Sequence, residues 1–284
     1  MKKILIIVAV CWSHIASAAY SQTIKEVSLP AVSISLINVS GIQGNYTFAK
    51  SNDDSVHVKV LAECKDMKAF SEFAAKYSVN VDEKGGKLSI NTPKYSTSLG
   101  MLFYEITLPE KMRMELMIEE GNISIKEMEV NMKISQPEGN LFTDNISGVF
   151  DLTSKKSNIT LNTKNILATI NSGSSTLNFS AKKGKAKINS ASGDVTINIT
   201  NDVEIEADKK SDDLTIILPS NYSGKMEISS DKKLIRLNFS EIQLTGTITS
   251  QLIKCTAGKG GNILKVISNS AQITVGNSTT MVGK

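Results

Sequence analysis

The residues able to do chemistry are few, and their spacing decides what they could do. Asp212-Asp213 is the best adjacent carboxylate pair, and Asp53-Asp54 is a second. Paired carboxylates suit general acid–base work on glycosidic bonds, provided that they share a face with Arg or Lys. Arginine is limited to Arg113 and Arg236, so the cationic half of such a site is thin. His57 is the one histidine beyond residue 19, and it falls on the polar phase of an alternating strand, where a solvent-facing role is expected. With a single histidine no Ser/His/Asp set is expected, and no His/Cys/Asp/Glu spacing matches a metal site. Cys64 and Cys255 could form a disulfide in an exported compartment or stay as two separate buried thiols. The reading at this level is no catalytic, cofactor-binding or metal-binding residues, and no cofactor.

The elements that would position these residues are strands. Short runs of alternating apolar residues are separated by Gly, Ser, Asn and Asp along nearly the whole chain, which is the period-two signal with turn punctuation. Val32–Leu36, Val56–Val60 and Tyr104–Leu108 alternate cleanly, with Asn38–Gly41 as a turn-like break and Pro109 as a stop. Val79–Val81, the turn Lys84-Gly85-Gly86-Lys87 and Leu88–Ile90 suggest a hairpin or adjacent strands. One stretch differs. Met67, Phe70, Phe73, Ala74 and Tyr77 recur at three- and four-residue spacing, so Lys65–Tyr77 reads as one amphipathic helix whose aromatic stripe packs on the sheet.

From Met114 the chain stacks on itself at an interval of 18 residues: Met114, Met132, Phe150, Ala168 and Ala186 align, as do Ile123, Leu141, Ile159, Leu177 and Val195. A one-residue slip would put each apolar set on the wrong face, so a constant phase is informative. The interval lengthens to 19 at Ile205 and Leu214 and to 21 at Met226 and Ile235; it loosens beyond Leu244 and returns at Ile263–Ile267 and Gln272–Val275. The expected fold is all-β: a single-stranded β-solenoid, β-helix-like, of about 18–21 residues per rung with one short helix in its N-terminal part. Nine or ten rungs about 4.8 Å apart would make a rod of roughly 45 Å. A β-sandwich also fits the strand spacing, but not the constant interval.

The repeat changes how the acids read. The turn at Ser190–Asp194 pairs Ser, Gly and Asp and could suit a phosphate or a metal. Its counterparts one repeat earlier are Ser172–Thr176 and two repeats earlier Ser154–Asn158. The following strand is constant and the polar chemistry is not. Calcium-binding turns would need Asp at regular positions, whereas Asp194 follows Thr176 and Asn158. Asp212-Asp213 falls at the same turn, and Asp53-Asp54 in a similar one, so both read as turn residues. The many Asn-x-Ser/Thr triplets follow from alternation on outward faces.

The first 19 residues, with Lys2-Lys3, the apolar run Ile4–Trp12 and Ala16-Ser17-Ala18, describe a signal peptide. Cys11 follows Val10 rather than a small residue, which argues against lipidation. No stretch is long and apolar enough to span a bilayer as a helix. Removing Lys2 and Lys3 takes the formal charge from +4 to +2, which leaves no electrostatic footprint for nucleic acid. Residues 20–109 are expected to be continuous with the repeats at 110–278, followed by a tail at 279–284.

The repeats resemble those of the bacterial putative-adhesin domain family, exported β-solenoids that carry G-[DN]-[VI]-x-[VI]. The matches are Gly121-Asn122-Ile123-Ser124-Ile125 and Gly193-Asp194-Val195-Thr196-Ile197, with a partial one at Gly139–Thr143. Leu108-Pro109 before the repeats and Gly258–Val275 at the end also resemble the family; Ser268–Gln272 departs from its usual Asn-Gly-Asp. The resemblance implies no catalytic residues. It implies an exported, non-enzymatic scaffold or adhesin-like binding module at the periplasm or cell surface, with an unknown envelope protein or glycan as partner. The alternatives are a carbohydrate-active β-helix enzyme and an envelope sensor acting through a partner.

Overall fold

The structure is a computed structural model that describes residues 20–239 and 242–277. The signal-peptide reading of residues 1–19, Cys11 and the tail lie outside the described residues. Among the described residues the fold is all-β with one α-helix. In chain order the N-terminal elements are β1 (Tyr20–Pro30), β2 (Leu36–Gly41), β3 (Asn45–Lys50), β4 (Ser55–Cys64), α1 (Met67–Lys76), β5 (Asn80–Lys84), β6 (Lys87–Thr92), β7 (Gly100–Leu108), β8 (Arg113–Ile118) and β9 (Glu120–Lys126). They are followed by three long strands, β10 (Glu129–Ser174), β11 (Thr176–Ser192) and β12 (Val195–Lys209). The chain continues as β13 (Asp213–Leu218), β14 (Gly224–Ser230), β15 (Ile235–Asn238), β16 (Leu244–Ile248), β17 (Leu252–Ala257), β18 (Asn262–Ser268) and β19 (Gln272–Asn277).

The helix begins where Asp66 accepts the Ala69 N–H at 2.7 Å, an N-cap that satisfies one of the free amides of the first turn. It buries Ala69 and Phe73 against the sheet. The Lys84–Lys87 turn closes an antiparallel β5–β6 hairpin, with both central glycines in the left-handed region. Two expectations fail between β1 and β3. Val32–Leu36 is not a strand: Ala31–Ser33 forms one 3-10 turn and leaves Val32 97% exposed. The expected break at Asn38–Gly41 is the second half of β2, which buries Ile37 and Val39. The alternation of Val32, Ile34 and Leu36 is real, but β2 buries the opposite phase, Ile37 and Val39, so the run crosses a one-residue slip and cannot by itself mark where the strand starts.

The 18-residue interval is a pairing register. Ile159 lies opposite Leu177 and Leu177 opposite Val195, in parallel strands. Val195 lies opposite Leu214 and Leu214 opposite Ile273. A second series runs Ala168, Ala186, Ile205, Leu264 and Met226. Each long strand contributes a segment to both series. The buried apolar side chains of both series belong to one cluster, so the two series share a core.

Spatial order departs from sequence order at both ends. β18 lies between β12 and β14, and β19 between β13 and β15. Likewise β2 lies between β6 and β8, and β3 between β7 and β9. The expected contact of Met226 with Ile205 is therefore replaced by Leu264 lying between them. Charge favours this order. Placing Met226 against Ile205 would set Glu227 against Glu206, a like-charge pair. Intercalating β18 gives Lys187, Glu206, Lys265, Glu227 and Lys254 in one alternating row. The Glu206–Lys265 pair closes to 3.8 Å. The exchange gives up only Lys225 against Glu204, and Glu204 keeps Lys185 at 2.8 Å. Each exposed pair is worth a few tenths of a kcal/mol, a small contribution in favour of the observed order.

Close stacking also fixes backbone. Gly184 has φ +117°, and a Cβ there would lie 2.0 Å from the Ile166 carbonyl oxygen. Gly85 has φ +61° in open space. Gly184→Ala is therefore expected to lower the unfolding free energy by about 3 kcal/mol or more. Gly85→Ala is expected to cost about 1 kcal/mol. Urea melts of the two variants check this difference.

Candidate functional site

Parallel, in-register pairing places chemically identical side chains on top of one another. Asn45, Asn122, Asn140 and Asn158 form a ladder along one corner. From Asn122 on, each amide nitrogen donates to the amide oxygen of the asparagine before it, at 2.7, 2.7 and 3.0 Å. Asn189 donates to Asn171 at 2.8 Å and Ser192 to Ser174 at 2.8 Å on the same plan. Two positions beyond the first ladder, Thr160, Asn178, Thr196, Thr215 and Thr274 share an outward row. The result is a polar surface whose amide and hydroxyl groups repeat about every 4.8 Å. On the other strand series, an open groove of about 640 Å³ is lined by Val149, Leu167, Lys164 and Lys185, with Leu167 56% exposed.

The carboxylates singled out in the sequence serve turns. Asp212, at φ +63°, accepts the Gly193 N–H at 2.7 Å. Asp194 accepts the Asp213 N–H at 3.4 Å. Beneath them lies a residue that the sequence reading passed over. Ser172, Ser190, Lys209, Ser268 and Ser230 occupy one stacked, buried position. Lys209 replaces the serine there and is 1% exposed. Its ammonium group donates to the Ser211 carbonyl. Burial pushes its pKa down, against the opposing pull of Asp212, Asp194 and Asp213. The signal was legible as the one position where Lys stands in an 18- to 19-residue serine series.

The structure does assemble a Ser/His/Asp set. Ser28 Oγ lies 2.8 Å from His57 Nδ1, and His57 Nε2 lies 2.9 and 3.1 Å from the two Asp53 oxygens. Asp53 also accepts from Ser51 Oγ and the Ser55 N–H. These bonds, that of His57 first, hold the Asp53 carboxyl below its ordinary value. A carboxylate that accepts at Nε2 fixes the proton there and leaves Nδ1 to accept from Ser28, the polarity of a proton relay. The setting is an open strand surface: Ser28 is exposed, and the His57 and Asp53 side chains are 38% and 58% exposed. Water screens the field that makes such a relay potent in a dry cleft. The firm consequence is mechanical: the relay ties edge strand β1 to β4 and to the turn before it.

Cys64 and Cys255 are free and buried, and burial raises both thiol pKa values. Cys64 lies in β4 and Cys255 in β17, at opposite ends of the strand order. Among the described residues no group of three or more His, Cys, Asp or Glu could hold a metal ion, and no helix is long and apolar enough to cross a membrane.

No family model matches the chain, and no curated protein matches it. The chain is similar to solved structures of bacterial putative adhesins. One is a putative cell adhesion protein from Clostridium sporogenes ATCC 15579: 14% identity, 92% of this chain and 100% of that one, TM-score 0.24. A putative adhesin from Bacteroides fragilis NCTC 9343 is 12% identical over 89% of this chain and 96% of that one, with a TM-score of 0.43. A putative adhesin from Parabacteroides merdae ATCC 43184 is 14% identical over 90% and 95%, with a TM-score of 0.29.

Two outcomes are expected. The depressed Lys209 value handicaps the native chain wherever the amine is charged. Lys209→Met should therefore melt higher than the native protein at pH 7, and the gap should shrink as the pH rises toward the ordinary 10.5. The depressed Asp53 value stabilises the fold above the ordinary 3.8 and is lost as the pH falls through the folded value. Asp53→Asn should melt below the native protein at pH 6, and the two curves should converge in acid. Thermal melts across pH read both.

Proposed function

We propose that the stacked strands form a β-solenoid that serves as an exported, non-enzymatic scaffold with an adhesin-like binding role at the bacterial envelope. The observation behind this reading is the ladder surface: Asn45, Asn122, Asn140 and Asn158, beside the Thr160–Thr196 row, offer a repeating array of amides and hydroxyls. Such an array suits an extended partner, a glycan or a protein strand, that meets the same groups at each step. The binding edge is pre-organised, because the amides hold one another in place and lose little freedom when a ligand arrives.

Residues 1–19 act as the export leader in this reading. Residues 20–109 belong to the same body as 110–278, which the β2–β8 and β3–β9 pairings support. Turnover of a carbohydrate would need carboxylates converging on one groove; Asp212 and Asp194 are instead engaged by turn amides.

The test is capture from intact envelopes of cells expressing the full chain, with chemical cross-linking before extraction. A cross-linked envelope component should be recovered with the native protein. Thr160→Lys/Thr196→Lys should reduce its recovery at least tenfold while leaving the melting temperature unchanged. Equal recovery with the variant would contradict the assignment of this face.

A further inference from the structure

The edges of the strand stacks are not alike. β1 pairs only with β4 among the described residues, and it carries Lys25, Glu26, a register shift at Thr23/Lys25, and Pro30. Among the described residues β5 pairs only with β6, and it carries Asp82, Glu83 and Lys84. β15 is four residues long and holds Arg236. Charge, proline, irregularity and brevity are the usual devices that keep an edge from recruiting another strand. β16 carries neither charge nor proline, although it is five residues long and Gly246 takes φ +142°. It pairs with β17 alone among the described residues. The run from Ile242 to Ile253 contains no charged residue and no proline. Thr245, Gly246, Thr247 and Ile248 are all exposed.

The free edge is self-complementary. Its sequence, Leu244-Thr245-Gly246-Thr247-Ile248, reads as apolar, Thr, Gly, Thr, apolar in either direction. The hydrogen-bond phase agrees with that symmetry. The Thr249 N–H donates to the Leu252 carbonyl at 2.8 Å and closes the β16–β17 turn. Counting back in an antiparallel pair, Thr247 and Thr245 direct their backbone groups at β17, and Leu244, Gly246 and Ile248 direct theirs outward. We propose that β16 pairs with β16 of a second copy of this chain, antiparallel about a two-fold axis at Gly246. In that register Gly246 meets its own equivalent, and Leu244 meets Ile248 on both sides of the axis. The three outward-directed residues of each copy are the ones that bond. Thr245 meets Thr247, so no charge is opposed or stranded. The 47%-exposed Ile248 and the 44%-exposed Leu252 lie at the joint. The occupant is a second copy because the edge is symmetric in chemistry and in bonding phase, and because an uncharged edge can pair with itself without repulsion. The interaction is isologous, so it closes at two copies and does not propagate.

The register makes the test specific. Analytical ultracentrifugation should show the native chain dimerising at about 100 µM, as expected of a small interface. Thr245→Lys/Thr247→Lys sets Lys against Lys on both sides of the axis and should weaken association at least tenfold. Thr245→Lys/Thr247→Glu changes the same positions but sets Lys against Glu, and should restore the dimer. Circular dichroism melts confirm that both variants fold. A native chain that stays monomeric at that concentration, a Lys/Lys variant that still dimerises, or a folded Lys/Glu variant that does not, would each overturn the proposal.

Discussion

The body of this structure depends on one constraint: between its antiparallel edges, neighbouring strands run parallel and in register, about 4.8 Å apart. That spacing sets each side chain against the one a repeat away, so a residue is selected for compatibility with its own kind. Asn tolerates this because its amide both donates and accepts, and the Asn45–Asn158 ladder uses both functions at each step. Ile, Leu and Val tolerate it because burial is additive down the column. Charges do not, and the row from Lys187 to Lys254 alternates them; Glu138 opposite Glu120 is a like-charge pair that the stack carries. Lys209 is the exception that the column absorbs, one buried ammonium among serines with acidic turns above it.

Much of this is legible in the sequence, because the constraint writes itself as a period. Ile159, Leu177 and Val195 recur at 18 residues and do lie opposite one another. The helix shows in its three-to-four spacing, and Asp66 at its start. What the sequence conceals is which repeat sits beside which. Residues 36–50 and 262–277 carry the same alternation as their neighbours, so apolar phase admits them at several places. Only second-order signals, such as Glu206 against Glu227, separate the orders. The Ser28–His57–Asp53 relay is hidden for another reason. It spans 29 residues from Ser28 to His57 across an antiparallel pair outside the repeat, where no period relates the partners. The mistaken strand at Val32–Leu36 comes from an alternation that runs through a 3-10 turn, one residue out of phase with the Ile37 and Val39 that β2 buries.

The intercalated units bear on how the proposed solenoid keeps its ends. A strand stack has open termini, and an open terminus recruits more strands. Here the end units are threaded: β18 and β19 are held on both sides, and β14 and β15 lie outside them. Antiparallel strands then finish three of the four edges, through β4 with β1, β5, and β17 with β16. Parallel growth is stopped by reversing the bonding pattern. The charged N-terminal edges and the neutral, symmetric β16 divide the molecule into an end that repels strands and an end that accepts one, while the ladder surface remains free for the proposed envelope partner.

The claim on which the account stands is the in-register stack with its intercalated order, and interspin distances measure it directly. Nitroxide labels placed at outward positions of one row, in a chain whose own cysteines are replaced by alanine, report position along the stack. With one label at Thr160, the account puts Thr274 four steps away and Arg236 five. These are about 19 and 24 Å at 4.8 Å per step. Pulsed dipolar spectroscopy should therefore find the Thr160–Thr274 distance shorter than Thr160–Arg236 by about one strand spacing. The reverse order, Arg236 nearer than Thr274, would mean that the repeats stack in sequence order and would contradict the account.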